Sequence, residues 1–163
     1  MTDDKQEKRG ADPYASGKWA GSKPYIVSRT PMKGRVVAVL TSTQEKRGLE
    51  LIHPWTRCIR ATEVHELQLT DEADARPGTT TNRCAAIAFF EFEEGGLLVG
   101  GDKVIIAGKE IGTLVGYDET HMPNHLNILL YGPERRTGQQ FGLKGGDTVI
   151  IEPGPEEKKT MIG

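Results

Sequence analysis

One phrase is written twice in this chain, as GGDKVII from Gly100 to Ile106 and as GGDTVII from Gly145 to Ile151. The paired glycines permit a sharp turn, the aspartate can accept bonds from nearby backbone amides, and the β-branched triplet then suits a strand entering a core. The copies lie 45 positions apart, counted from Gly101 to Gly146. They mark either two related halves or one turn used twice. The second reading is the expectation, because the copies are short and the sequence between them is not itself repeated.

Around these phrases the chain reads as short strands separated by glycine turns. Lys33–Thr41 and Gly48–His53 are predicted strands, with the polar link TSTQEKRG between them as a hairpin loop. Residues 57–69 fit strand or a helical turn from Thr62, and strand is favoured. Asp71–Asn82 carries no apolar periodicity and contains Pro77-Gly78, which predicts a long exposed loop. Arg83–Phe92 is the strongest strand of the first half. It sets Cys84, Ala86, Ala88, Phe90 and Phe92 on one face, and Ala85, Ile87, Phe89 and Glu91 on the other. Lys103–Ala107 turns through Gly108-Lys109 into Glu110–Tyr117, and Asn124–Tyr131 alternates again. With no convincing long amphipathic helix, the expected fold is mostly β, a small single-domain closed or nearly closed β-barrel with flexible termini.

Residues 1–23 hold only Tyr14 and Trp19 as large apolar anchors and read as a flexible tail; residues 24–152 form the barrel domain, and 153–163 a second tail. Ordered structure is expected to begin near Tyr25, and Trp19 either docks on a domain surface or stays exposed. A net charge of -2 supplies no clustered positive charge, which argues against nucleic acid and membrane surfaces as partners. MTDDKQEKRG lacks the apolar core of a signal peptide, and no run approaches the roughly 20 apolar residues of a membrane helix. A cytoplasmic location is expected, with Cys58 and Cys84 as reduced thiols.

The densest set of reactive side chains is Asp118-Glu119-Thr120-His121-Met122-Pro123-Asn124-His125, between the two repeats. His121 and His125 are candidate ligands for a divalent transition metal, although Pro123 interrupts any helical spacing and no HExxH or CxxC is present. In the following strand His125, Asn127, Leu129 and Tyr131 share a face opposite Leu126, Ile128 and Leu130. Such a half-polar face is either solvent-facing or the lining of a pocket at the mouth of a barrel. The candidate ligand-binding set is Asp118, Glu119, His121, His125, Asn127 and Tyr131, with Arg135 and Arg136 for an anionic group. Cys58 and His65 form a thiolate and base only if folding joins them, and structural roles are favoured for both.

GGDKVIIAGKEIGTLVGYDETHMPNHLNILLYG followed by FGLKGGDTVII, within residues 97–151, resembles the C-terminal half of the glucitol/sorbitol-specific enzyme IIA component of the bacterial sugar phosphotransferase system. The resemblance rests on a strand, an IxG turn, a Val-Gly pair and a histidine opening the next strand, here His125. It implies a compact β-barrel. The family's phosphate-accepting histidine lies upstream of the glycine-rich region; Arg83–Phe92 contains none, and His53 and His65 lie further upstream.

Three functional expectations follow. The first is a binding protein for a small polar ligand, with or without a metal, at residues 118–131. The second is an accessory domain or homo-oligomer whose strand edges need covering. The third is a phosphocarrier. Whether a reaction occurs at all is left open.

Overall fold

The computed structural model describes residues 29–154. Expectations for residues 1–23, Trp19, Tyr25 and 155–163 fall outside that range. Among the described residues there are twelve strands and no helix. They are β1 (Met32–Val39), β2 (Thr43–Gln44), β3 (Leu49–Glu50), β4 (Thr56–Ile59), β5 (Val64–Thr70) and β6 (Thr80–Thr81) in the first half. The second half contains β7 (Cys84–Phe92), β8 (Gly96–Val99), β9 (Lys103–Ile106), β10 (Lys109–Asp118), β11 (Asn127–Tyr131) and β12 (Thr148–Glu152).

Seven of these pair in the order β1-β12-β9-β10-β11-β5-β7, and β7 pairs back with β1, so the ladder closes into a ring. Only β11 and β5 run parallel; the other neighbours in the ring are antiparallel. Closure leaves no free edge in the ring, so the edge-strand argument for self-association has no purchase there. Alternation along each strand turns Val36, Leu67, Leu69, Phe90, Leu114, Ile128 and Leu130 into one shared core. A second, smaller cluster of Leu49, Leu51, Cys84 and Leu129 packs outside the wall, covered by Ala75 and Val115.

The two repeated phrases lie side by side. β9 and β12 pair antiparallel with Val104 opposite Ile151, Ile105 opposite Ile150 and Ile106 opposite Val149. Val104, Ile106, Val149 and Ile151 are buried in the main core, while Ile105 and Ile150 are half-buried. Each phrase also clasps a strand on its far side. The Gly101 N–H donates to Leu114 O and the Leu114 N–H to Asp102 O, both at 2.8 Å. In the second copy Gly146 N–H donates to Val36 O at 2.7 Å, and Val36 N–H to Asp147 O at 2.9 Å. Directly after Val36 and Leu114 the register shifts on the opposite partner strand in both places. The phrases therefore belong to two halves related by an approximate two-fold, with β1 matching β10 and β7 matching β11. The expectation of a turn merely used twice is overturned. Sequence repeats only where the clasp demands particular residues, whereas the matching strands need only similar shape.

The copies diverge in one respect. Asp147 is half-buried and accepts the Lys144 N–H at 2.7 Å, a local turn bond. Asp102 is fully buried, accepts the Val99 N–H at 2.9 Å and meets the Arg29 guanidinium through both carboxylate oxygens. It thus ties the start and, through the Gly154 N–H at 3.3 Å, the end of the described chain to one point.

Several local expectations are corrected. Thr43–Gln44 does not close a hairpin between the first two predicted strands; it pairs with Cys84–Ala85, while Leu49–Glu50 pairs with Thr80–Thr81. Residues 57–69 hold two strands, split at Thr62, whose φ is 76°. The turn after β9 uses Ala107-Gly108, with φ of 50° and 77°, rather than Gly108-Lys109. Two positive values match the right-handed twist of a two-residue hairpin. On β7 the predicted alternation breaks at Ile87, where the β5 register slips, so Ile87 and Ala88 both enter the main core while Cys84 stays outside. Asp71–Asn82 is the exposed loop its composition predicts up to Thr79, with Thr80–Thr81 forming β6, and the Glu72 carboxylate anchors it by accepting the Asn82 and Arg83 N–H groups at 2.8 and 3.1 Å.

The two-fold makes a test. A Cβ on Gly34 would lie 2.5 Å from Glu91 O, and one on Gly112 would lie 2.7 Å from Tyr131 O. Backbone cannot yield there, so Gly34→Ala and Gly112→Ala should each cost about 1–3 kcal/mol in urea unfolding. Gly145→Ala meets nothing within 4 Å and should stay within about 0.5 kcal/mol of wild type. Equal stability of all three variants would refute the close strand approach.

Candidate functional site

On β5 the odd residues Leu67 and Leu69 face the main core, which leaves Glu66, Gln68 and Thr70 on the outer wall. These polar residues are nonetheless buried, at 9%, 5% and 0% exposure, because other segments cover them. Burial of a carboxylate and an amide requires internal partners. Gln68 Nε2 donates to Glu66 Oε1 at 2.6 Å. Glu66 Oε2 faces His125 Nε2 at 3.5 Å, an ion-pair distance without hydrogen-bond geometry.

The covering loop is built by Asp118 at the end of β10. Its carboxylate accepts from Glu50 N (2.9 Å), Thr120 N (2.9 Å), Thr120 Oγ1 (3.0 Å) and Asn127 Nδ2 (3.1 Å). Burial alone raises this carboxyl's pKa, but the four donors outweigh it and hold it below 3.8. From there a single turn follows, with Asn124 N donating to His121 O at 2.9 Å and His125 N to the same oxygen at 3.4 Å. One turn of separation brings the two imidazoles onto the same side, stacked with centroids 5.0 Å apart at 27°. The His125 ring also rests edge-on against Phe89, 5.0 Å away, and its Nδ1 lies 2.8 Å from Asn124 Oδ1.

His65 pins the far end of that loop. Leu126 N–H donates to His65 Nδ1 at 2.9 Å, which requires the ring proton on Nε2, where it reaches Glu63 Oε1 at 3.0 Å. Burial depresses the imidazolium below its ordinary 6.5, with Arg57 and His125 pushing the same way and Glu63 opposing. Both ring nitrogens are therefore engaged in structure, and no Cys58–His65 pair forms.

The opposite wall is the 42–47 segment. Arg135 donates to Gln44 O at 3.0 Å and to the Glu45 carboxylate at 2.5 Å, while Arg83 holds the same carboxylate at 2.7 Å. The Arg135 hydrogen bond is the first of several effects, against desolvation, that hold Glu45 below 4.5. This bracing directs Arg47 over the loop, where its Nη2 lies 3.3 Å from His121 Nε2. Between the walls is an open crevice of about 370 Å³, lined by Glu66, Gln68, Cys84, Arg47, His121 and His125, with Ser42 and Gln44 at its edge.

Of the eight sequence-predicted site residues, His121 and His125 line this crevice. Asp118 and Asn127 are buried behind the loop and shape it. Glu119 points outward, 3.8 Å from Arg57. Tyr131 lies at the other end of β11, on a separate groove with Gly112 and Pro133. Arg135 braces Gln44 and Glu45, and Arg136 sits over the Phe141 ring at 4.6 Å. The candidate pocket is thus on the outer wall, under a covering loop, rather than at the mouth of the ring. Glu66, Gln68 and Arg47 were missed. The signal for the first two was the alternation Glu66-Leu67-Gln68-Leu69, a polar face on an otherwise apolar strand.

No group of three His, Cys, Asp or Glu side chains able to hold a metal occurs among the described residues. The fixed charge of Arg47 against His121 Nε2 also opposes a cation at the proposed pair. Cys84 is a poor nucleophile, since burial pushes its thiol up to about 12. Cys58 and Cys84 are both free, and no helix among the described residues is long and apolar enough to cross a membrane.

The chain belongs to DUF6917, a family of unknown function, whose family model matches residues 26–152. No curated protein and no solved structure matches the chain.

The His65 geometry predicts a pH response. Its folded pKa lies below 6.5, so its contribution to stability is full above pH 6.5 and is lost as pH falls through the lower folded value. Urea midpoints of the wild type should therefore decline below pH 6.5, above the range in which carboxylates titrate. In His65→Asn that decline should flatten. An unchanged slope in the variant would remove His65 as the titrating group.

Proposed function

We propose that the closed seven-strand ring is a small β-barrel that binds a small polar ligand in the crevice on its outer wall. One observation carries this reading: Arg47, His121, His125, Glu66 and Gln68 reach a single crevice of about 370 Å³ from three separate stretches of chain. That volume is within the ordinary range for small-molecule sites, and convergent polar groups in a concavity are what such sites present. The permanent charge of Arg47 favours a ligand with an anionic group over a bare metal ion. The apolar cluster of Leu49, Leu51, Cys84 and Leu129 beside it provides a rigid backing.

Amide-resolved NMR with a library of small carboxylates, phosphates, amines and sugars tests the reading. A ligand should shift the amides of residues 42–47, 66–68 and of His121, Met122, Asn124 and His125 together. His125→Ala should weaken binding about tenfold or more, the loss expected for one hydrogen bond involving a charged group. Ligands mapping only to the groove beside Tyr131, or indifferent to His125→Ala, would sink the proposal.

A further inference from the structure

The crevice is polarised along its length, and that polarity specifies what kind of ligand it takes. At the rim, Arg47 is half-buried and has no carboxylate partner among the described residues. Its neighbours differ: Arg83 is held by Asp71 and Glu45, and Arg135 by Glu45. A guanidinium is always protonated and carries five N–H donors. In the 3.3 Å contact, His121 Nε2 must therefore accept, which places the proton of a neutral ring on Nδ1. Arg47 keeps its charge and most of its donors for another acceptor.

At the floor the order is reversed. The Glu66 carboxylate has one oxygen satisfied by Gln68, at 2.6 Å, while the other faces His125 at 3.5 Å without a hydrogen bond. That oxygen retains acceptor capacity, and a buried carboxylate with capacity to spare favours a donor. The stacked imidazoles of His121 and His125 stand between the two ends.

Resting on the reading of this crevice as a binding site, we propose that its ligand is a small carboxylate that also bears a hydroxyl or ammonium donor. The carboxylate lies on the Arg47 guanidinium, whose planar fork matches two carboxylate oxygens. The donor group bonds to Glu66. A doubly charged phosphate is the poorer match, because one guanidinium faces it and the Glu66 carboxylate repels the second charge.

NMR titration with butyrate, 4-hydroxybutyrate, 4-aminobutyrate and inorganic phosphate tests this on the full chain. The hydroxy or amino acid should bind at least tenfold more tightly than butyrate, with shifts at Glu66, Gln68 and residues 121–125. Glu66→Gln should shrink that preference, most for the ammonium ligand that loses its counter-charge, and Arg47→Gln should abolish binding of all three carboxylates. Arg47 has one side-chain partner and is half-buried, so its variant reports even if Glu66→Gln does not fold. Butyrate binding as tightly as the others, or an unchanged ranking in Glu66→Gln, overturns the donor requirement while leaving the binding site standing. Preference for phosphate overturns the carboxylate assignment. If the wider library binds in the crevice but none of these four does, the ligand class is wrong; if nothing binds there, the site itself falls.

Discussion

The seam between β9 and β12 carries the architecture. Ile105 stands opposite Ile150, and on either side the phrases send Val104, Ile106, Val149 and Ile151 into the core. Each phrase then grips a further strand by the same pair of backbone bonds, Gly101 and Asp102 on Leu114, Gly146 and Asp147 on Val36. Four strands are fixed by two copies of one seven-residue phrase. The remaining members of the ring, β7, β11 and β5, complete a ladder whose curvature those clasps have already set.

The register shifts matter as much as the pairing. A bulge moves every following side chain to the other face. Those after Val36 and Leu114 bend β1 and β10 around the core, and the one at Ile87 keeps Cys84 and Ala86 outside while Ala88, Phe90 and Phe92 go in. β5 has no counterpart under the two-fold. It joins the two halves by one parallel and one antiparallel pairing, and its outer face is where symmetry ends and the crevice begins. The segments that roof it are held by ion pairs and a saturated carboxylate, Arg135 and Arg83 on Glu45 at one side and Asp118 at the other. Asp118 at the end of β10 and Asn127 at the start of β11 thereby shape the loop between them, and that loop positions His121 and His125 against the crevice.

Much of the strand content was legible because alternation and glycine turns are local signals. Leu126, Ile128 and Leu130 against Asn127, Leu129 and Tyr131 divide between core and outer wall as their spacing predicts. Legibility failed where a partner decides. Thr43-Gln44 looks like loop by composition, yet Cys84 and Ala85 offer it a ladder. Asp118 looked like a ligand residue because its type suits one, and its four donors come from Thr120, Asn127 and distant Glu50. Tyr131 shares a face with His125, but six residues of extended chain carry it to a different groove.

By itself the sequence determined a mostly β chain, many of its glycine turns, the phrase that recurs, and the closeness of His121 and His125 along the chain. Those follow from local stereochemistry: φ allowed at glycine, branching at Val and Ile, and periodicity along a strand. Tertiary structure alone decided that the two phrases are neighbours, that the ring closes, and that Arg47 and Glu66 face His121 and His125 across a crevice. These contacts join residues far apart in the chain, 45 positions from Ile105 to Ile150, 59 from Glu66 to His125 and 74 from Arg47 to His121. Nothing in the spacing of such residues along the chain encodes their distance in space.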